Sequence, residues 1–321
     1  MDNIKDLILS SYDIAITSHS DEDADAFGSS MALRLALMSL GKNVDYYVSL
    51  PLEHRLQFFP KDYIIYDEEK HTKKYDLCIC LDSADEKRLG KRIKLKNEAK
   101  KTINIDHHYT NTRYAMENRV GDNMSSTGEM IYDLLIEMNI EITKEIATYL
   151  YCAIMGDTSC LKYSSATPKT VMIISKLMEC GIDHADLSRR LFDTEKITSI
   201  KLKGYIMNNI KSFYDGEVSL VSIDEEKFLE YGVLEKDVGD IVNIPRSVEG
   251  TQIAVSLRQV PEKVKISLRS NGKYNVGEIA QKLGGGGHMM AAGIGLFGAT
   301  LADAEEKILK VIGDYINGWI W

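Results

Sequence analysis

The sequence predicts an α/β protein, with a parallel-sheet domain joined by a linker to a smaller mixed α/β domain. Three observations carry this reading. Short β-type apolar runs alternate with amphipathic helical patterns in the first half, the texture turns strand-rich after residue 215, and 321 residues exceed what one hydrophobic core usually serves.

The elements follow in order. DIAIT (13–17) reads as a strand, FGSSMALRLALMSL (27–40) as a helix stopped by Gly41, and NVDYYVS (43–49) as a second strand. YDLCICLD (75–82) and KTINID (101–106) continue the series, and strands separated by helices imply a parallel sheet covered on both faces. From 125 to 156 the pattern is helical, with SSTGEMIYDLLIEM opening on a Ser-Ser-Thr start. PKTVMIISKLMECG (168–181) carries proline at its start and glycine at its end, as a helix should. A charged amphipathic segment at 184–213 reads as a connector. GEVSLVSI (216–223), TQIAVSLRQV (251–260) and KVKISLRS (263–270) are then strands, followed by a glycine cluster and a last helix near 300–316. The expected division is therefore a first domain at 1–185, a helical linker at 186–215 and a second domain at 216–321.

Composition narrows the class. An apolar fraction of 44% with 27% charged residues is that of an ordinary globular protein, and no stretch reaches the roughly 18 apolar residues of a membrane span. The N-terminal MDNIKDLILSSYD lacks the basic region and cleavage site of a secretory signal, so a cytoplasmic protein is expected. Cys78, Cys80, Cys152, Cys160 and Cys180 sit in apolar segments without a CxxC pair and read as free, buried thiols. The formal net charge of −9 shows no basic footprint for long nucleic acid, so an anionic substrate should be short, or held through metal ions and a few local cations.

The chemistry concentrates at strand ends. The loop Thr17-Ser18-His19-Ser20-Asp21-Glu22-Asp23-Ala24-Asp25 follows a strand and packs four carboxylates and an imidazole into seven residues. Such a cluster repels itself unless something positive lies within it, and a divalent cation is the economical answer. A calcium loop fails on spacing, since the sixth position from Asp21 is Ala26 and the twelfth is Ala32. Asp82 ends LCICL, and Asp106-His107-His108 ends TINI, so three strands deliver ligand-type side chains at the edge where open α/β sheets bind ligands. Asp157 adds a carboxylate after IATYLYCAIMG. Taken singly, Asp82 and Asp157 are also plausible helix caps, and His107-His108 loop histidines. Their convergence favours a site. Oxygen and imidazole donors without thiolate suit Mn²⁺, with Mg²⁺ as the alternative, and about six ligands suit two ions about 4 Å apart that clamp a phosphate for in-line displacement.

Three segments, HSDEDADAFGS (19–29), DHH (106–108) and GGGGHMMAAG (284–293), closely resemble the DHH phosphoesterase family in its form with an appended DHHA1 domain, over about residues 10–316. Within it the chain looks most like the nanoRNase type, which removes nucleotides from very short RNA and dephosphorylates 3′-phosphoadenosine 5′-phosphate. Enzymes that hydrolyse cyclic or linear di-adenylate look very similar and are the runner-up, with inorganic pyrophosphatase third because it should lack the GGGGH module. The resemblance implies that His19, Asp23 and Asp82 hold one Mn²⁺, and that Asp25, Asp82, His107 and Asp157 hold a second, with Asp82 bridging. It gives His108 the substrate phosphate and makes Asp106 the residue that orients the neighbouring imidazole. This type usually has Pro-Asp-Gly-Asp where the chain has Glu22-Asp23-Ala24-Asp25, which matters if position 24 needs a positive φ.

The glycine cluster has its own physical reading. Gly285, Gly286 and Gly287 let backbone amides approach an anion, and His288 adds a side-chain donor. It is neither a dinucleotide fingerprint nor a P-loop, since Met289 occupies the third glycine position and no Gly-Lys-Ser/Thr follows. Its flanks, Gln281-Lys282-Leu283 and Met289-Met290-Ala291-Ala292, look helical rather than linker-like. Arg269 is a natural bidentate partner for phosphate, and the resemblance places it with His288 on the distal part of the substrate, in a cleft between the domains. The expected partners are thus short RNA or di-adenylate and phosphoadenosine phosphate, not long nucleic acid or membrane, and a homodimer is allowed for. A non-catalytic nucleotide sensor on the same fold should have lost a metal carboxylate, and none is missing.

Overall fold

Leu-Cys-Ile-Cys-Leu at 77–81 has no polar position because both faces of its sheet are covered. The computed structural model describes residues 3–49, 52–121, 123–233 and 241–318, and the chain divides into two compact units, Met1–Thr194 and Glu195–Trp321.

In the first unit the order is α1 (Asn3–Leu9), β1 (Asp13–Thr17), α2 (Ala24–Ser39), β2 (Asn43–Val48), β3 (Ile64–Ile65), β4 (Leu77–Leu81), α3 (Ile93–Glu98) and β5 (Lys101–Asp106). It continues with β6 (Glu117–Val120), α4 (Thr127–Glu137), α5 (Lys144–Asp157), α6 (Pro168–Glu179) and α7 (His184–Phe192). The strands form one parallel sheet ordered β3-β2-β1-β4-β5-β6. Alternate residues divide between two cores. Ile14, Ile16, Leu77, Ile79 and Leu81 face the core of α2, α4 and α5, while Ala15, Cys78 and Cys80 face a smaller one with Leu89 and Leu95. Strand order reverses direction between β1 and β4, the switch point outside which open α/β sheets place their ligands.

Helix α2 starts at Ala24, three residues before the sequence-based expectation, because Asp23 caps it. Its Oδ1 accepts from the amides of Asp25 at 3.1 Å and Ala26 at 3.0 Å. Small residues then let α2, α4 and α5 approach closely. A Cβ on Gly28 would come 2.5 Å from the Tyr149 carbonyl, and one on Gly128 would come 2.6 Å from the Ala153 Cβ. This packing brings Asp157, the last residue of α5, beside Asp25 on α2.

The second unit holds α8 (Ile197–Asn208), β7 (Lys211–Phe213), β8 (Val218–Ile223), α9 (Glu225–Glu230), α10 (Asn243–Arg246), β9 (Ile253–Val260) and β10 (Lys263–Ser270). It ends with α11 (Val276–Gln281), β11 (Gly286–His288), β12 (Ala291–Phe297) and α12 (Leu301–Ile316). Its sheet runs β11-β12-β10-β9-β8-β7 and is antiparallel except where β8 meets β9. Helices α11 and α12 cover one face through Val276, Ile279, Ile308 and Ile312. On the other face α8 and α9 pack Leu202, Ile206 and Phe228 against Val221 and Ile223 of β8. Within 186–215, α7 belongs to the first unit, where Leu187 and Leu191 join the core, and α8 and β7 belong to the second. The expected helix at Met289-Met290-Ala291-Ala292 is instead a turn and the start of β12. Pairing with β10 and β11 on its two sides overrides the local preference of alanine and methionine for helix. Among the described residues no helix is long and apolar enough to cross a membrane.

Candidate functional site

At the C-terminal edge of the parallel sheet, six side chains from five segments converge. His19 follows β1, Asp23 and Asp25 open α2, Asp82 follows β4, His107 follows β5 and Asp157 ends α5. Their donor atoms form three overlapping groups, His19 with Asp23 and Asp82, Asp82 with His107 and His108, and Asp25 with His107 and Asp157, each within 4.8 Å. Asp82 belongs to the first two. Its Oδ2 is 3.4 Å from His19 Nε2, and its Oδ1 is 3.7 Å from His107 Nε2. It adopts a left-handed backbone, φ 51°, which costs a non-glycine residue about 1–3 kcal/mol and marks a position held by its surroundings.

These residues fit a cation on geometry. His107 Nε2 is buried without a hydrogen-bond partner, yet it stands 3.9 Å from an Asp25 oxygen and 3.6 Å from an Asp157 oxygen. Such distances are too long for hydrogen bonds. They match donors sharing one ion, because ligands about 2.1 Å from an octahedral centre stand about 3.0–4.2 Å apart.

Electrostatics agree. Burial, then the charges of Asp82, Asp157 and Asp23, push the Asp25 carboxyl well above its usual range. Asp157 is raised to about 6, by burial and by Asp82 and Asp23 against the opposing charge of His107. Burial alone would lower His19, but the neighbouring carboxylates of Asp23 and Asp82 outweigh it and raise the ring to about 9. Burial is likewise outweighed at Asp23, which the neighbouring His19 ring draws down to about 2. Carboxylates this crowded favour any added positive charge. His108 lies alongside, its Nδ1 2.7 Å from Asp106 Oδ1, and that bond is the main cause of its raised pKa.

The second unit carries the other expected residues. His288 and Arg269 both stand directly opposite Ala291, on β11 and β10, so they flank it on one face of the sheet. His288 is exposed and Arg269 half-buried. The glycines differ in kind. A Cβ on Gly285 would strike the Gly293 carbonyl and one on Gly287 the Ala291 carbonyl, whereas one on Gly286 would meet nothing within 4 Å.

Comparison with known proteins matches this arrangement. Residues 13–154 match the DHH family, N-terminal domain, and residues 206–318 match the DHHA1 domain. A "Bifunctional oligoribonuclease and PAP phosphatase NrnA" from Thermus thermophilus is 34% identical over 95% of this chain and 90% of its own length. The chain belongs to the DHH family. A protein of the same description from Bacillus subtilis is 26% identical over 92% of this chain and 93% of its own length. The crystal structure of an exopolyphosphatase-related protein from Bacteroides fragilis is 29% identical, with a TM-score of 0.87 over 99% of this chain and 95% of its own.

Where the chain departs from the usual DHH loop, the structure supplies the reason it is tolerated. Ala24 lies in the first turn of α2 and outside the positive-φ residues, so alanine there carries no strain. Its methyl group is matched by Gly156, where a Cβ would come 2.5 Å from it. Glu22 forms a buried ion pair with Arg92. Arg92 Nη1 also donates to the Tyr47 carbonyl at 2.7 Å, and Nη2 donates to the carbonyls of Ser18 at 3.1 Å and His19 at 2.9 Å. Glu22 accepts from the Ser49 amide at 2.8 Å. The pair therefore pins the loop that carries His19 and Asp23, and one of the four loop carboxylates is balanced by arginine.

Two further supports of the DHH centre escaped the sequence reading. The amides of Thr127 and Gly128, at the start of α4, donate to the two oxygens of Asp25 at 2.7 and 2.8 Å, and the Thr127 hydroxyl donates to Asp82 Oδ1 at 3.0 Å. Asn111 donates to Asp106 Oδ2 at 2.6 Å. The Ser-Ser-Thr helix start was legible, but nothing in it named Asp25 as its partner.

Proposed function

We propose that the chain is a Mn²⁺-dependent phosphoesterase that hydrolyses oligoribonucleotides of a few residues to mononucleotides and dephosphorylates 3′-phosphoadenosine 5′-phosphate. The observation that carries this reading is the single buried carboxylate of Asp82, turned with one oxygen toward His19 and the other toward His107. Two divalent cations, held by His19, Asp23 and Asp82 and by Asp25, Asp82, His107 and Asp157, would neutralise phosphate oxygens and activate water. The chain's own groups do the rest. Asp106 holds His108 through Nδ1, which leaves Nε2 of that ring to donate a proton or hydrogen bond to a phosphate oxygen. Arg269, His288 and the backbone of Gly285 to Gly287 hold the part of the substrate away from the metals. Manganese is favoured because the donors are oxygen and imidazole without thiolate. The names of the Thermus and Bacillus relatives support the substrate pair, and the acidic chain supports a short one.

A turnover panel with Mn²⁺ tests the reading, using RNA of two to five nucleotides and of about 24 nucleotides, phosphoadenosine phosphate, linear and cyclic di-adenylate, and pyrophosphate. The expected result is fastest turnover of short RNA, with phosphoadenosine phosphate also hydrolysed. Preference for cyclic di-adenylate, or equal rates on short and long RNA, would overturn it.

A further inference from the structure

The segment between β4 and α3 carries a cation that the site above leaves unused. Glu86–Arg92 turns in 3₁₀ fashion with a kink at Gly90, and Asp85 caps it by accepting from the Lys87 amide at 2.8 Å. Both ends of this stretch are fastened to the loop that carries His19. The Arg88 carbonyl accepts from the Ser20 amide at 2.7 Å, and Arg92 holds the carbonyls of Ser18 and His19. Gly90, at φ 57°, makes the turn between them, and a Cβ there would come 3.5 Å from the Ser20 Cβ. The loop after His108 is tied to the residues just before the stretch. Its Thr112 amide donates to the Ala84 carbonyl at 2.8 Å, and Asn111 Nδ2 donates to the Ser83 carbonyl at 3.3 Å. The backbone of Arg88 is thus fixed between the loops that present His19 and His108.

Arg88 itself is exposed. Among the described residues no hydrogen bond or ion pair engages its guanidinium, whereas Arg34, Arg55, Arg92, Arg119, Arg189 and Arg190 are each paired with a carboxylate. Its charge reaches His108, where it opposes the pull of Asp106 and Asp82. Arg55, whose charge reaches Asp23, is by contrast taken up by its 2.5 Å pair with Glu53. In a chain of net charge −9, an arginine left unpaired beside the phosphate-facing histidine is set for an anion rather than for the fold.

We propose that Arg88 takes the third free oxygen of a phosphomonoester, and so lets one centre serve a terminal phosphate as well as a phosphodiester. The two kinds of ester differ at that oxygen. A diester phosphate carries one negative charge on two free oxygens, whereas a monoester, with a second pKa of about 6, carries close to two on three at about pH 8. The proposed cations and His108 serve the phosphate of either ester, and the extra oxygen and charge of the monoester call for one more cation. Arginine offers two parallel N–H donors there without any change of protonation. Arg88 stands outside the buried donor cluster, so its loss removes one contact and leaves that cluster in place. The inference rests on the proposed pair of activities and deepens it, by giving the monoesterase half a residue of its own.

A pair of aryl esters tests it, because p-nitrophenyl phosphate and bis-p-nitrophenyl phosphate release the same phenol and only the first has the third oxygen. kcat/KM is measured on both at about pH 8 with Mn²⁺, with manganese content and a melting curve for each variant. Arg88→Gln should lower the monoester-to-diester ratio by about fivefold or more, with manganese retained. Arg113→Gln, which removes another exposed arginine from the loop after His108, should leave the ratio as it is. Binding gives a readout apart from turnover. In a calorimetric titration with Mg²⁺, inorganic phosphate should bind Arg88→Gln about fivefold or more weakly than wild type, and this titration decides alone if the aryl esters are not turned over. A smaller fall in the ratio or in phosphate affinity overturns the proposal. An equal fall in Arg113→Gln also overturns it, since net charge would then be the cause, and so does a loss of manganese with both esters falling together, since Arg88 would then merely support the His19 loop. If the ratio and phosphate binding shift as expected but wild type hydrolyses neither short RNA nor phosphoadenosine phosphate, the proposed function fails and the role of Arg88 stands.

Discussion

The first unit gathers its functional groups inside the protein, and the second displays them on a sheet face. Asp25, Asp82 and His19 are 1%, 2% and 3% exposed, and each is fixed by hydrogen bonds or close donors from at least two segments. Arg269 is half-buried on its strand and His288 is exposed. Buried charges need partners, so a change in the first unit propagates through the cluster, whereas one on an open face removes a single contact. Losses within the buried cluster of the first unit should therefore be near-complete on every substrate, and losses in the second graded and substrate-dependent.

The sharpest break of that contrast is at Asp82. Asp82→Ala removes an oxygen pair facing both donor groups and should leave less than about a tenth of wild-type turnover on every substrate, with the fold retained. Activity assays on purified protein with matched circular dichroism check it. A folded variant that stays more active would mean the two groups do not share this carboxylate.

Next in size is the loop clamp. Arg92→Met leaves Glu22 buried without its partner and should destabilise the protein by about 3–5 kcal/mol. It should also weaken Mn²⁺ binding measured calorimetrically, because the carbonyls of Ser18 and His19 lose their donor. Adding Glu22→Met should restore much of the stability, since an apolar pair of similar volume is often neutral. Manganese affinity should stay weak in the double variant. If it recovers together with stability, Arg92 supports the fold and does not position the loop.

Arg269→Ala and His288→Ala sharpen the other side. Each removes one charged or polar contact with phosphate, about 1.5–3 kcal/mol for a charged hydrogen bond, or roughly ten- to hundredfold in kcat/KM on a dinucleotide. Bis-p-nitrophenyl phosphate reaches only the metals and should be little affected. Equal losses on both substrates, with manganese content unchanged, would erase the difference between the units.

The sequence exposed the parallel sheet and the convergence of carboxylates and imidazoles at its edge for one physical reason. Uncharged runs such as Leu-Cys-Ile-Cys-Leu mark strands buried on both faces, and in the switch-point topology their C-terminal ends are where ligand side chains belong. What it hid depends on contacts far apart in the chain. Arg92 reaches Glu22 across 70 positions, and Thr127 reaches Asp25 across 102. No local pattern encodes such pairs. In the second unit Lys263, Lys265 and Arg269 do recur at period two within KVKISLRS, but only the register shows that they stand opposite Phe297, Gly295 and Ala291 of β12. The flank Met289-Met290-Ala291-Ala292 reads as helix in the sequence because alanine carries little β signal, and the place of β12 between two strands decides the matter.

The smallest expected effect separates the glycines that fold the hairpin from the one free to face a ligand. Gly285→Ala and Gly287→Ala force a methyl group against the carbonyls of Gly293 and Ala291, and Gly287 also has φ 149°, so both should lose stability by about 1–3 kcal/mol. Gly286→Ala meets no protein atom within 4 Å and lies outside the positive-φ residues, so its melting temperature should hold or rise slightly. Its methyl group would nonetheless stand on the face shared with His288, where a phosphate must come close to reach the backbone. The expected outcome is a KM for dinucleotide raised about threefold to tenfold, with kcat kept and bis-p-nitrophenyl phosphate turnover unchanged. Steady-state kinetics on both substrates, beside melting curves for all three variants, decide it. A Gly286→Ala protein with wild-type KM would mean that the glycine run serves only the packing of β11 on β12, and that the grip on the distal phosphate comes from Arg269 and His288 alone.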